Sequence, residues 1–213
     1  MDQFDSIFDS IQDTFEGLND AREAALARTR KLIRECANTI RAIHRREWDE
    51  AKVGLDKARE IAANLRENTA AYPELYHSGY TQDALREYVE AELTYVLVRN
   101  EPLPTPDDLK VEPATYVNGL AEAASELRRH ILDIIRHQHT KESERLLDAM
   151  DVIYSQLITV DFTDAITHGL RRRTDVLRNV LERTRGDVTT SFRQQQLQNA
   201  IEALEREIES DDI

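Results

Sequence analysis

Cysteine, proline, glycine and aromatic residues are all scarce in this 213-residue chain, and each scarcity excludes something. A single cysteine, Cys36, rules out an internal disulfide framework and any cysteine-based zinc ribbon. Six glycines are under half of what average usage of about 7 % would give. The five prolines all fall between Pro73 and Pro113, which leaves two long flanks that no proline interrupts. That distribution argues against a strand-and-turn protein and for long helices. No apolar run approaches the ~20 residues of a membrane span. The start Met1-Asp2-Gln3-Phe4-Asp5 lacks the basic region of a signal peptide, so a soluble cytoplasmic protein is expected. There is no glycine-rich phosphate loop and no nucleophile elbow, and His137-x-His139 lacks the i,i+4 spacing that lets two histidines on one helix share a metal.

What is abundant is charge. Aspartate and glutamate number 41 against 28 lysine and arginine, a net charge of −13. Only five of the basic residues are lysine; the other 23 are arginine. An acid-rich, lysine-poor surface is the habit of halophilic proteins, whose salty cytoplasm screens the repulsion among so many carboxylates. An acidic protein of ordinary salinity is the alternative. Either way the overall charge disfavours indiscriminate nucleic-acid binding without excluding a local basic surface.

Apolar residues recur at helical spacing almost throughout, and no strand pattern competes. Phe4, Ile7, Phe8, Ile11 and Phe15 predict a first helix ending near Gly17. A second follows from Ala21 to about His44, and a third carries Val53, Leu55, Ile61 and Leu65. Residues 72–80 read as a loop, 82–98 as a helix, and 100–113, with four prolines, as a break. Beyond it helices are expected at about 114–139, 142–159, 162–184 and 188–209, the last two parted at Thr184-Arg185-Gly186-Asp187 by a glycine stop and an aspartate cap. The fold class is therefore all-α: one bundle of about seven helices over residues 1–213, with the acidic helix 1–20 and the acidic tail 202–213 as solvated surface.

The charge is unevenly placed. Between Ala27 and Arg46 seven basic residues stand against Glu35 alone. At 100° per residue Arg30, Arg34, Arg41 and Arg45 fall within about 60° of one another, away from the Ile33/Ile40/Ile43 face. Such a stripe suits bidentate contacts with an extended polyanion; it also suits a solvated face paired to neighbouring carboxylates. In a second cluster, Arg171-Arg172-Arg173 with Arg178, Arg183 and Arg185, the interleaved Asp175 and Glu182 point to intrahelical pairs. Glu87 and Glu90 are spaced i,i+3 and Glu122 and Glu126 i,i+4, so each pair shares a helix face. Like charges stacked in this way repel unless a cation lies between them. Two such pairs together would form an all-oxygen site for Mg²⁺ or Mn²⁺, able to activate a water and stabilise charge on a phosphodiester. With 22 glutamates in the chain, such pairs also arise by chance. Cys36 reads as a buried thiol, and His44 and His130 as polar helix residues rather than ligands.

Four segments carry a family resemblance. Gly79-Tyr80-Thr81-Gln82-Asp83-Ala84-Leu85-Arg86-Glu87-Tyr88-Val89-Glu90-Ala91 resembles the "Q-D/E-A-x-x-E-Y-V-E-A" helix of the translin/Trax family. Arg41-Ala42-Ile43-His44-Arg45 is similar to the end of that family's second helix. The stretch from Tyr116 to Arg129 resembles its "G-x-x-D-L-x-G-E-L-x-R" helix. Arg172-Arg173-Thr174-Asp175-Val176, with Glu182-Arg183-Thr184-Arg185-Gly186-Asp187, looks like the C-terminal segment of archaeal members. Together they span roughly residues 28–187 in the family's order, and with the acidic composition the chain looks like a haloarchaeal, Trax-like member.

The resemblance implies a seven-helix protomer assembling into a closed homo-octameric barrel around single-stranded RNA or single-stranded DNA. Trax-type subunits are Mg²⁺-dependent endoribonucleases; translin-type subunits bind without cutting. The Trax catalytic and metal-binding positions fall on Glu87, Glu90, Glu122 and Glu126, Glu122 standing where the family often has aspartate. All four carboxylates are present, which favours the Trax-like side. The stripe of Arg30, Arg34, Arg41 and Arg45 is then expected to hold the phosphate backbone, with no membrane partner. A non-catalytic, translin-like binding protein is the alternative.

Overall fold

The computed structural model describes residues 2–138 and 140–211, with side chains over 3–138 and 140–208. Among these residues there are nine helices and no strand. Six are long: α1 (Asp2–His44), α2 (Trp48–Thr69), α4 (Gly79–Arg99), α6 (Pro113–Ile135), α7 (Lys141–Leu157) and α9 (Leu170–Asp211). Three are single turns: α3 (Pro73–Tyr76), α5 (Pro106–Leu109) and α8 (Asp164–Thr167). The all-α expectation is met, with the helices divided differently.

Two expected breaks are absent. Gly17 does not end a helix, because α1 runs unbroken for 43 residues. Gly186 does not end one either, because α9 runs for 42. A glycine inside a helix weakens it by roughly 0.5–1 kcal/mol, too little to stop it where flanking turns pack. Leu177, Leu181, Thr184 and Val188 are buried at helical spacing on both sides of Gly186, so the packed stripe carries α9 through. The supposed loop at 72–80 holds α3 and the start of α4. His139 lies outside the described residues.

The chain divides into two compact units, and the division falls within α4 and α6. The first comprises Met1–Tyr95 with Pro104–Gly119. Here α1 turns into α2 through Arg46, whose φ of 60° is left-handed. The Arg46 N–H donates to the Ile43 carbonyl and the Glu47 N–H to the Ala42 carbonyl, both at 3.0 Å. This is the paired closure that glycine ordinarily makes at a helix end, performed by an arginine that gives no sequence signal. Leu32, Ile43, Leu55, Leu65 and Leu85 are fully buried in this unit. The inward face of α1 is Ala25, Leu32, Cys36 and Ile43; the expected core residue Ile33 is 38 % exposed. α1 and α2 approach so closely that a Cβ on Gly54 would lie 2.3 Å from Thr39 Oγ1.

The second unit comprises Val96–Leu103 with Leu120–Ile213. Leu127, Ile131, Leu146, Met150, Leu170 and Leu177 are its largest fully buried side chains. Thr140 and Ser143 cap α7 reciprocally. Arg145 then reaches the last carbonyls of α4, donating to Leu97 at 3.1 Å and Val98 at 3.3 Å. At their far ends both long helices are solvated: residues 3–17 of α1 are exposed, and so are nearly all of residues 192–208 of α9.

Candidate metal centre and nucleic-acid surface

In the first unit α4 brings Glu87 and Glu90 to one face. Each is partly buried, and an oxygen of one lies within 4.8 Å of an oxygen of the other. Two carboxylates held that close repel in a partly dehydrated setting, so the arrangement requires positive charge. Arg86 supplies some: its guanidinium, only 14 % exposed, lies 3.3 Å from Glu87 and 3.6 Å from Asp83. Behind the pair sits the Cys36 thiol, completely buried. Burial first, and then the charges of Glu87, Glu90, Glu92 and Glu35, push its pKa far above the ordinary thiol range. It stays protonated and is not a nucleophile or a metal ligand at neutral pH.

The backbone of α6 packs tightly on α4 within this unit. A Cβ on Gly119 would stand 2.6 Å from Val89 Cγ1 and 3.0 Å from the Arg86 carbonyl. Glu122 follows on α6 less than one turn later, and Glu126 one turn after that.

Both of those glutamates belong to the second unit and are partly buried. Glu122 Oε1 accepts a hydrogen bond of 2.9 Å from Arg173 Nε on α9. The guanidinium is also tied to the His168 carbonyl at 3.2 Å. Arg173, from the second arginine cluster, thus pairs with a carboxylate 51 residues away rather than within its own helix. Arg185 does the same, bonding Asp151 on α7 at 2.7 Å. Within this cluster an intrahelical ion pair among the described residues joins Arg178 and Asp175, 3.7 Å apart. Alternating sign predicts i,i+4 pairs only where no other helix offers a carboxylate, and here two do.

Arg30, Arg34 and Arg41 on α1, and Arg45 just past its end, are all exposed. Arg41 donates to Asn38 Oδ1. Arg45 donates to Glu47 at 2.6 Å and lies 3.7 Å from Glu50; that hydrogen bond holds the Glu47 carboxyl below the usual carboxylate range. Both line a cleft of about 420 Å³ between α1 and α2, together with Glu35, Glu50 and Lys57. Arg30 and Arg34 form no ion pair among the described residues. The stripe therefore divides: its C-terminal half is already paired, and its N-terminal half is open to an outside anion. His44 and His130 are buried residues of α1 and α6, and His137 is exposed.

The described residues thus combine an all-helical architecture with two paired, partly buried glutamates and an exposed arginine stripe. No family model matches the sequence. An uncharacterized protein of Methanocaldococcus jannaschii is 31 % identical over 188 residues, covering 86 % of this chain and 82 % of that protein. Among solved structures, the crystal structure of AfC3PO is similar with a TM-score of 0.83 at 32 % identity, covering 89 % of this chain and 98 % of the other. The AfC3PO complex with duplex RNA gives a TM-score of 0.78 at 33 % identity, with the same coverage. Apo-NeC3PO, at 19 % identity and a TM-score of 0.78 over 86 % of this chain and 96 % of its own, shares the fold. The chain belongs to the translin/Trax-like C3PO family.

Proposed function

We propose that the protein is a Mg²⁺-dependent endoribonuclease of the Trax-like kind, acting on single-stranded RNA or RNA fragments inside a closed homo-octamer. The observation that carries the reading is the convergence of the Glu87 and Glu90 oxygens to within 4.8 Å on a half-buried face. All-oxygen donors at that separation fit a hard divalent cation, with Mn²⁺ as a substitute for Mg²⁺. The family resemblance would add Glu122 and Glu126 to the ligand set. When bound there, such an ion would supply Lewis acidity toward a water and the phosphodiester. The chain's own residues do the rest: Arg30 and Arg34 bind backbone phosphates, Arg86 sets a positive charge 3.3 Å from Glu87, and burial restricts the water around the pair. RNA as the ligand is supported by the solved complex of the AfC3PO relative with duplex RNA. Self-association is supported by the large exposed apolar side chains Phe4, Phe8 and Phe15 on α1 and Leu197 and Leu204 on α9. A haloarchaeal source and a cytoplasmic location belong to the same proposal. No helix among the described residues is long and apolar enough to cross a membrane.

The test is the Glu126→Gln variant. Cleavage of labelled RNA, single-stranded and duplex, is expected to disappear in Mg²⁺ while RNA retention persists. Cleavage at the wild-type rate would remove the proposed site. A second reading, a translin-like chamber that binds RNA or single-stranded DNA without cutting, is favoured by one observation: Arg173 already neutralises Glu122. Binding with Mg²⁺ and with EDTA, and cutting in neither, would establish it.

A further inference from the structure

The metal reading leaves a cavity of the second unit unused. About 290 Å³ in volume, it is lined by Ala121, Glu122, Ser125, Arg172, Arg173 and Val176. That volume, at the lower edge of the roughly 300–1,000 Å³ of small-molecule sites, leaves ample room for a phosphate group. Two guanidinium groups in one small cavity present planar forks of N–H donors, a geometry matched by the oxygens of a phosphate.

Arg173 is built into this wall. Its Nε bonds Glu122 Oε1 at 2.9 Å and its Nη1 bonds the His168 carbonyl at 3.2 Å. That carbonyl is aimed by a turn in which His168 (φ 49°) and Gly169 (φ 89°) are both left-handed. The turn is secured from the other side, where the Gly169 N–H donates to Asp164 Oδ1 at 2.7 Å. Glycine suits this position because its φ of 89° is one that L side chains rarely adopt. Arg172 is exposed and forms no ion pair among the described residues.

We infer that Arg172 and Arg173 form a subsite for a backbone phosphate of a polynucleotide, coupled to Glu122. In the free protein Glu122 holds Arg173. When the Glu122 charge is taken up by a cation, its hold on the guanidinium weakens and both arginines can turn their donors to the phosphate. The coupling rests on the reading of Glu122 as a metal ligand; the phosphate subsite does not.

The experiment uses the full chain and a fluorescent oligouridylate in EDTA. Arg172→Gln is expected to weaken binding roughly tenfold and to make the plot of log affinity against log salt shallower by about 0.7, the share of one single-strand phosphate contact. Arg173→Gln should change both much less in EDTA, because Glu122 holds that guanidinium while no cation is present. Glu122→Gln should bind several-fold more tightly than wild type, because Arg173 is released, and the Glu122→Gln/Arg173→Gln double variant should lose that gain. Arg172 is exposed, so its variant reports on the subsite without a folding defect. Unchanged affinity and slope in Arg172→Gln would overturn the inference, as would displacement by inorganic phosphate at constant ionic strength with no effect of either arginine on the oligonucleotide. The metal reading is scored separately, by Mn²⁺ titration without RNA in wild type and Glu122→Gln. Loss of Mn²⁺ binding in Glu122→Gln beside an unaltered Arg172→Gln would sink the subsite alone; unaltered Mn²⁺ binding beside weakened Arg172→Gln would sink the metal reading alone.

Discussion

Glu92 is 2 % exposed, and Arg59 reaches it with two hydrogen bonds of 2.7 Å. Burial raises the Glu92 pKa above the ordinary carboxylate value, and Arg59 opposes that rise without cancelling it. Removing the guanidinium strands an ionised carboxylate in the core of the first unit. A fully buried pair broken on one side costs about 3–5 kcal/mol. Arg59 is half exposed, so about 2–3 kcal/mol is expected for Arg59→Ala. The sign with pH follows from the direction of the shift. A carboxyl whose folded pKa lies above its unfolded value costs nothing while protonated in both states, and stability falls as pH rises through the folded value. Arg59→Ala raises that value further, so its deficit in urea unfolding should be larger at pH 8 than at pH 5; an equal deficit would mean that Glu92 is rehydrated in the variant. At this scale the sequence was half legible. Glu87 and Glu90 were readable because a helix puts i and i+3 on one face. The bonds from Arg59 to Glu92 and from Arg173 to Glu122 join residues 33 and 51 positions apart, and no local pattern encodes such a partner.

Between elements, glycine has opposite meanings on α6 and α9. A Cβ on Gly186 meets nothing within 4 Å, so Gly186→Ala should stabilise the chain by about 0.4–1 kcal/mol by restricting the unfolded state. Were α9 broken there, as the Gly-Asp pair suggests, the same change would destabilise. On α6 a Cβ at Gly119 runs into Val89 and a backbone carbonyl, and Gly119→Ala should cost about 1–3 kcal/mol by overpacking. Denaturant midpoints of the two variants give the comparison directly. The existence of the long helices was legible because their apolar period extends over many turns. Their ends were not. Stop and cap signals are local and worth about 1 kcal/mol, whereas the junction at 184–187 is bridged from α6, where Arg128 bonds Thr184 Oγ1 at 3.0 Å and Asp187 at 2.8 Å. Conversely α1, which ends at His44, is closed off by Arg46, a residue type with no stop signal, because the turn to α2 imposes a left-handed backbone there.

Over the whole molecule, charge sets two responses to salt that run in opposite directions. A chain at −13, with most of its acids exposed, is strained by self-repulsion that a Debye length of ~10 Å at 0.1 M leaves largely in place and one of ~3 Å at 1 M suppresses. Raising KCl from 0.1 to 1 M is therefore expected to raise the melting temperature, by about 2–4 °C for each kcal/mol recovered in a chain of this size. RNA binding must move the other way. If Arg30, Arg34, Arg172 and Arg173 each engage one phosphate, the slope against log salt is about −2.8 for a single strand, or nearly three orders of magnitude over the same interval. Changing Arg30 or Arg34 to Gln should reduce that slope by about 0.7 each. Arg41→Gln and Arg45→Gln should change it less, because Asn38 and Glu47 already hold those guanidinium groups. Light scattering at both salt concentrations, read against the 24.6 kDa chain, separates loss of RNA from loss of assembly. A melting temperature that falls with KCl would end the halophilic reading, and an affinity indifferent to salt would end the role given to the arginines. An affinity that falls while mass and melting temperature hold or rise is the behaviour of an acidic protein whose basic residues are reserved for a polyanion.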